Sequence, residues 1–304
     1  MGPGHLVDLD VAAQIRGANH AVVALESTVI AHGLPWPENL SLARRLEAAV
    51  REEGAMPVTI AVLGGRMRVG LSDAELEHLA RSPSVRKLTR RDVPIAIAEG
   101  ADGATTVSAT MLIARGAGIR VFATGGIGGV HRGDHTDVSA DLPELARTPM
   151  VVVCAGAKAI LDLPATLEWL ETHGVPVLGW GTADFPAFFT RSSGLPLETR
   201  VDNEAQVAAI AEAAWRNGVE SAVLVTVPAP EGVAMPAERM ESAIAEALVR
   251  AGREGIRGKA TTPFLLKAVA ELTGGESVAA NLALLEQNAR IAARIAKALS
   301  ASAR

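Results

Sequence analysis

Tyrosine is absent from the 304 residues, cysteine occurs once, and aromatic residues amount to only 3%. With Cys154 as the sole thiol, neither an intrachain disulfide nor a thiolate metal cage can form, and a reducing compartment fits. So few aromatics leave little surface for stacking unpaired bases. A basic surplus is missing as well: 29 Lys and Arg stand against 34 Asp and Glu, for a net charge of -5, so nothing recommends the chain to a phosphate backbone. No nucleic-acid partner is expected. No uncharged apolar run reaches the length of a membrane span, and the opening MGPGHLVDLD lacks a basic region followed by an apolar stretch. The expectation is a soluble, cytoplasmic protein with no membrane partner.

What is present is ordinary for a globular chain: 49% hydrophobic and 21% charged residues exclude a disordered or collagen-like protein. The length allows one or two domains at roughly 150 residues each. No internal repeat, low-complexity tract or polar linker divides it, so one domain over 1–304 is expected. Short Val- and Ile-rich runs predict strands over 21–25, 58–63, 119–123, 150–153, 175–178 and 222–225. Amphipathic segments between them predict helices over 37–53, 164–172 and 203–217. The spacing of Ser72 and Glu75 is that of a capping box. The last forty residues read as two helices broken at Gly274 and Gly275, the second starting near Glu276. This alternation predicts an α/β fold, layered α/β/α around a mainly parallel or mixed sheet. The stretch 181–197, mixing Gly, Pro, Phe and Ser, reads as a surface loop.

Chemistry is suggested at several places. Glu26 directly follows the first apolar strand, where ligands collect in α/β folds and where partial desolvation lets a carboxyl hold a proton. A turn or capping carboxylate is the plain alternative. The run Thr124 to Gly133, TGGIGGVHRG, can cradle a phosphate on backbone amides or can simply turn tightly. It matches neither the dinucleotide fingerprint nor a P-loop. His131, Asp134, His135, Asp137, Ser139 and Asp141 follow, an oxygen-rich set suited to Mg²⁺ or Mn²⁺, or else a solvated acidic loop. Zinc is disfavoured, because the glycines argue against the helix that a His131 and His135 pair would need.

Lys158 follows a further strand, at what reads as the opening of a helix. There a positive helix end and apolar surroundings favour a free amine, the form a Schiff-base lysine needs. An exposed helical pair with Asp162 is the alternative. Lys87 lies in a basic run with Arg86, Arg90 and Arg91, attractive to a phosphate or simply solvated. Thr105, Thr106 and Ser108 can cap a helix or face a ligand. Asn281 sits among Ala and Leu in the final helix, where a buried amide wants a partner, by default across a helix interface.

The segments ALESTVIAHGLP, GATTVSATM, ATGGIGGVHRG, DVSADLPEL and VVVCAGAKAILDLPATLEWLE occur in the order, and with the content, that mark a family. They resemble the pseudouridine-5'-phosphate glycosidases, also called the indigoidine synthase A-like family, from about Ala24 onward. The resemblance implies reversible cleavage of the carbon-carbon bond between uracil C5 and C1' of ribose 5-phosphate. It implies Glu26 as proton donor, Lys158 as nucleophile and Asp137 as a Mn²⁺ ligand. Substrate contacts are implied from Lys87, Thr106, Val107, His131, Ser139, Ala140, Asp141 and Asn281, and a homotrimer is the implied assembly. The stretch 133–136 is shorter than in some family members, so no role for Asp134 or His135 carries over, and the sugar-kinase segment fused to some members is not seen. Two other classes share these features: a different Schiff-base lyase or aldolase of sugar phosphates, and a non-enzymatic sugar-phosphate binding or assembly protein.

Overall fold

A computed structural model describes residues 8–13, 15 and 21–302. The strands are β1 Leu9–Val11, β2 Val22–Leu25, β3 Met56–Leu63, β4 Arg66–Val69, β5 Arg86–Leu88, β6 Gly103–Thr105, β7 Val121–Ala123, β8 Val130–His131, β9 Asp134–Val138, β10 Val151–Cys154, β11 Leu161–Asp162, β12 Val177–Trp180, β13 Thr199–Val201 and β14 Val223–Thr226. The helices are α1 Thr28–His32, α2 Glu38–Glu52, α3 Asp73–Arg81, α4 Val93–Ala98, α5 Val107–Gly116, α6 Asp141–Leu145, α7 Leu163–Thr172, α8 Glu204–Arg216, α9 Ala237–Arg253, α10 Thr261–Leu272 and α11 Glu276–Ser302.

The main sheet runs β1-β4-β3-β2-β7-β10-β14-β12-β13, with β6 and β5 attached through β3. All pairings are parallel except β3 with β4 and with β6. The fold is thus α/β with a mixed, mostly parallel sheet, as the alternation of elements predicts. Its central strands are buried on both faces: β10 reads Val-Val-Val-Cys and β14 Val-Leu-Val-Thr, every residue buried. A second, three-stranded antiparallel sheet, β11-β8-β9, carries His131 and Asp137.

All six predicted strands exist, shifted by at most two residues at either end. The predicted helices become α2, α7 and α8, and the carboxyl-terminal pair becomes α10 and α11. The Ser72 capping box forms, with Glu75 Oε2 accepting the Ser72 amide at 2.8 Å. Helix α11 lies across β2, β7 and β10 and against α2 and α8. Ala280, Leu284, Asn288, Ala292 and Ala296 recur every four positions as one stripe of its broader buried face, which also includes Leu285, Ile291, Ile295 and Leu299. Arg290 pairs with Glu52 at 2.7 Å and Arg294 with Glu53 at 3.0 Å, fixing α11 to the end of α2.

The 181–197 stretch is irregular, but it is not merely a surface loop. Phe185, Phe188 and Phe189 are buried in the core, and Phe188 has a left-handed backbone with φ of 63°. Its composition hides this because three aromatics among Gly, Ser and Pro make no periodic pattern.

Candidate functional site

Strands β2, β7 and β10 are parallel neighbours in register, with Leu25 opposite Ala123 and Ala123 opposite Val153. Their carboxyl ends therefore finish level, and Glu26 and Thr124 are the next residues on β2 and β7. The Thr124 hydroxyl donates to Glu26 Oε1 in a short hydrogen bond. Burial pushes the Glu26 carboxyl above its ordinary 4.5; Lys158 and the Thr124 hydroxyl oppose this, Asp141 adds to it, and Lys87 opposes it. A partly buried carboxyl that holds its proton more tightly than usual is suited to act as a general acid.

Lys158 does not open a helix. It stands in a turn between β10 and β11, and α7 begins only at Leu163, capped by Asp162, whose Oδ1 accepts from the Ala165 amide at 3.0 Å. Nor does it pair with Asp162: Lys158 Nζ donates to the Gly126 carbonyl at 2.7 Å. Both alternatives assumed that the helix starts at the glycine and alanine after Cys154. In fact residues 124–127 and 153–158 run side by side as an irregular continuation of β7 and β10. Thr124 donates to Val153, Ala155 to Gly125, Ile127 to Gly156 and Lys158 to Ile127 through their amides. Cys154 lies beneath, fully buried, its thiol pushed up to about 12 by that burial, so it is no competing nucleophile.

The same ladder engages part of the glycine run. The amides of Thr124, Ile127, Gly128 and Val130 already donate within the protein, the last two to Asp141 Oδ2 and Thr166 Oγ1. The glycines instead allow close approach: a Cβ on Gly126 would stand 2.5 Å from the Phe188 ring, and one on Gly128 2.1 Å from Ser139 Oγ.

Asp141 is buried and accepts from Ser108 N at 3.0 Å and Gly128 N at 2.9 Å, so it joins the start of α5 to the glycine run. Ser139 Oγ accepts from the Asp141 amide, and Ala140 leads into α6. Thr106 precedes α5 without capping it through its side chain, and its hydroxyl lies 3.2 Å from Ser108 Oγ. Val107, the first residue of α5, is buried.

The basic run is divided in its uses. Arg90 Nη1 donates to both carboxylate oxygens of the buried Glu144, at 2.6 and 2.8 Å, and Arg86 pairs with Glu99. Lys87 on β5 acts electrostatically on both Glu26 and His32, and the His32 imidazole is held below its usual range by burial and by Lys87.

Among the described residues, no three His, Cys, Asp or Glu side chains converge as a metal cage. The acidic loop is pulled apart: Asp141 turns inward, His135 lies 3.1 Å from Asp162, and Asp137 is half exposed with His131 Nδ1 at 3.9 Å. The side chain of Asp134 lies outside the description. One exposed carboxylate suits a hard divalent ion only where water and substrate oxygens complete the shell, a common arrangement for Mg²⁺-like ions.

Asn281 forms no side-chain hydrogen bond among the described residues, so the interhelical bond expected by default is not made. Its Oδ1 faces Gly125, 3.4 Å from where a Cβ would stand. Sequence reasoning missed Thr124 as the partner of Glu26, His32 beside Lys87, and Arg132, which donates to the carbonyls of Ala159 and Leu161 at 3.0 Å each and so holds the Lys158 turn. Only a three-dimensional register could have singled them out. A cleft of about 670 Å³ opens beside that turn, lined by Arg132, Leu163, Met240 and Ile244 among others, but neither Glu26 nor Lys158 lines it.

This geometry belongs to a chain with clear relatives. The family described as indigoidine synthase A like protein matches residues 10–298. The chain belongs to that family. It is 57% identical over 308 residues to the pseudouridine-5'-phosphate glycosidase of Chloroflexus aurantiacus, covering 96% of this chain and 99% of that one. It is 51% identical over 297 residues to that of Caldanaerobacter subterraneus subsp. tengcongensis, covering 96% and 97%. Among solved structures, the prealnumycin C-glycosynthase AlnA in complex with ribulose 5-phosphate superposes with a TM-score of 0.90 at 43% identity, over 97% of this chain and 98% of that one. No described helix is long and apolar enough to cross a membrane.

Proposed function

We propose that the protein cleaves pseudouridine 5'-phosphate reversibly to uracil and ribose 5-phosphate. The observation that carries this is the electrostatic proximity of Glu26, at the end of β2, and Lys158, in the turn after β10, in a chain more than half identical to enzymes bearing that name. A carbon leaving group offers no lone pair to protonate, so a two-carboxylate glycosidase mechanism is ill suited and covalent help is needed. Glu26 gives its proton to the ribose ring oxygen as the C1'-oxygen bond opens, leaving C1' electrophilic and conjugated with the uracil ring. The Lys158 amine then attacks C1'. Protonation at uracil C5 breaks the C1'-C5 bond with its electron pair going to uracil, and the imine left on Lys158 is hydrolysed by water to ribose 5-phosphate.

Lys87, Thr106, Val107, His131, Ser139, Ala140, Asp141 and Asn281 are assigned to substrate. Support comes from the nearness of Lys87 and Asp141 to Glu26 and from the placement of Asn281 Oδ1 against Gly125. Asp137 is assigned to Mn²⁺, which supplies positive charge to bind and orient substrate oxygens. A homotrimer and a cytoplasmic location complete the assignment, the latter supported by the buried, unpaired Cys154.

The test is to mix the purified protein with pseudouridine 5'-phosphate and Mn²⁺ and assay uracil and ribose 5-phosphate. Both products are expected in equal amounts, and uracil with ribose 5-phosphate should give back the nucleotide. Turnover of other ribose 5-phosphate derivatives, with none of pseudouridine 5'-phosphate, would assign the site to a different Schiff-base lyase. Ligand binding indifferent to loss of Lys158 would make it a binding protein.

A further inference from the structure

Asn288 is the one strongly polar side chain in the four-residue stripe that α11 lays on the sheet, and it is fully buried. Its Nδ2 donates to the Thr124 carbonyl at 2.9 Å and lies 3.4 Å from that of Gly125. Its Oδ1 is buried with no hydrogen-bond partner among the described residues. Turning the amide over would set that oxygen against two carbonyl oxygens, so the orientation is fixed by electrostatics. An orphaned buried acceptor is costly. An apolar residue of similar size would fill the same space without it, so the feature to be explained is the donor.

What the donor holds is the main chain of the residue that bonds to Glu26. The Thr124 amide is fixed by Val153, its hydroxyl points to Glu26, and its carbonyl is fixed by Asn288. Two residues on, the Gly126 carbonyl receives Lys158. We propose that Asn288 is a positioning residue that sets the rotation of the 124–126 backbone, and through it the aim of the Thr124 hydroxyl at Glu26 and of the Gly126 carbonyl at Lys158.

The groups facing Glu26 are Lys158, Thr124, Asp141 and Lys87. Of these, the hydroxyl is carried by the residue whose carbonyl Asn288 holds, and Lys158 is reached through the Gly126 carbonyl two residues on. A donated hydrogen bond favours the carboxylate, so weakening it raises the pH at which Glu26 ionises. The experiment is a difference-infrared titration of the carboxyl band, referenced to Glu26→Gln, in wild type, Thr124→Val, Asn288→Leu and the double variant, with no substrate present. Asn288→Leu should move the titration upward, as Thr124→Val does, because a weakened hydroxyl bond and a displaced Lys158 both raise it, and the double variant should move it by less than the sum of the two single shifts. Turnover should fall on the order of tenfold, the scale of a small misplacement; this arm alone rests on the reaction proposed above. A folded Asn288→Leu with the wild-type titration overturns the proposal, whatever the substrate proves to be. Should that variant not fold, Asn288→Ser, too short to reach the carbonyls, is read in the same way. If neither folds, the amide serves the core and the proposal falls.

Discussion

Asp141 accepts the Gly128 amide on Oδ2 at 2.9 Å, and a Cβ on Gly128 would stand 2.8 Å from that same oxygen. Carboxylate and glycine therefore define one another. With Ser108 on its other oxygen, Asp141 fixes the distance between the start of α5 and the glycine run.

Gly128→Ala should destabilise the protein by about 1–3 kcal/mol, the usual cost of overpacking, because its new methyl meets Ser139 Oγ and Asp141 together. Denaturant unfolding measures it, and adding Ser139→Gly should recover part of the loss. Full recovery, or no loss at all, would mean that Asp141 does not constrain the position.

Lys158→Arg keeps a positive charge but cannot supply a free amine. Cleavage should fall on the order of 10⁴-fold or more, as when other nucleophiles are removed. Borohydride with ribose 5-phosphate should trap a sugar adduct on the Lys158 peptide of the wild type and none on the variant. An adduct on another lysine assigns the nucleophile elsewhere.

Glu26→Gln removes the transferable proton and should lower turnover by about 10²-fold or more. Its effect on stability has a definite sign. Because the folded-state carboxyl is raised, the folded protein binds the proton more tightly than the unfolded chain, so the wild type loses stability as pH rises from the ordinary 4.5 toward the raised value. The glutamine variant loses none. Its melting temperature relative to wild type should therefore climb with pH across that window and change little below about pH 4. A gap that narrows as pH rises contradicts a raised carboxyl.

Asp137→Ala should weaken Mn²⁺ binding, read by the electron paramagnetic resonance of free Mn²⁺, while unfolding changes by no more than about 0.5 kcal/mol for a half-exposed side chain. Exhaustive chelation should stop turnover, and Mn²⁺ should restore it better than Ca²⁺, since a compact octahedral shell built largely from water suits the smaller ion. Turnover that survives chelation removes the metal from the reaction.

The central sheet was legible because its strands are continuous Val-rich runs, buried on both faces, that need no partner to be recognised. Strands β5, β6, β8 and β11 have two or three residues each and owe their existence to neighbours, so no local pattern announces them. Glu26 and Lys158 were legible for the same reason as the sheet: each follows a readable strand. Lys158 was nevertheless set on a helix that starts five residues later, because Gly, Ala and Lys after a strand suit a helix start as well as a turn. The carboxylates of the acidic loop looked alike in composition, and only folding separates the inward Asp141 from the outward Asp137. Thr124 and Asn288 are 164 positions apart, a pairing that no periodicity contains.

Helix α11 has a consequence for how the protein is made. The strands that carry Glu26, Thr124 and Lys158 leave the ribosome well before residues 276–302, and at about 5–20 residues per second the gap lasts several seconds. Throughout it the part of β2, β7 and β10 that α11 later covers has nothing from that helix to shield it, and the Thr124 carbonyl has no amide to receive. The nascent chain thus holds its reactive groups in sequence while its apolar sheet is still open to other nascent chains. The arrival of α11 covers that apolar surface and brings the Asn288 amide to the Thr124 carbonyl.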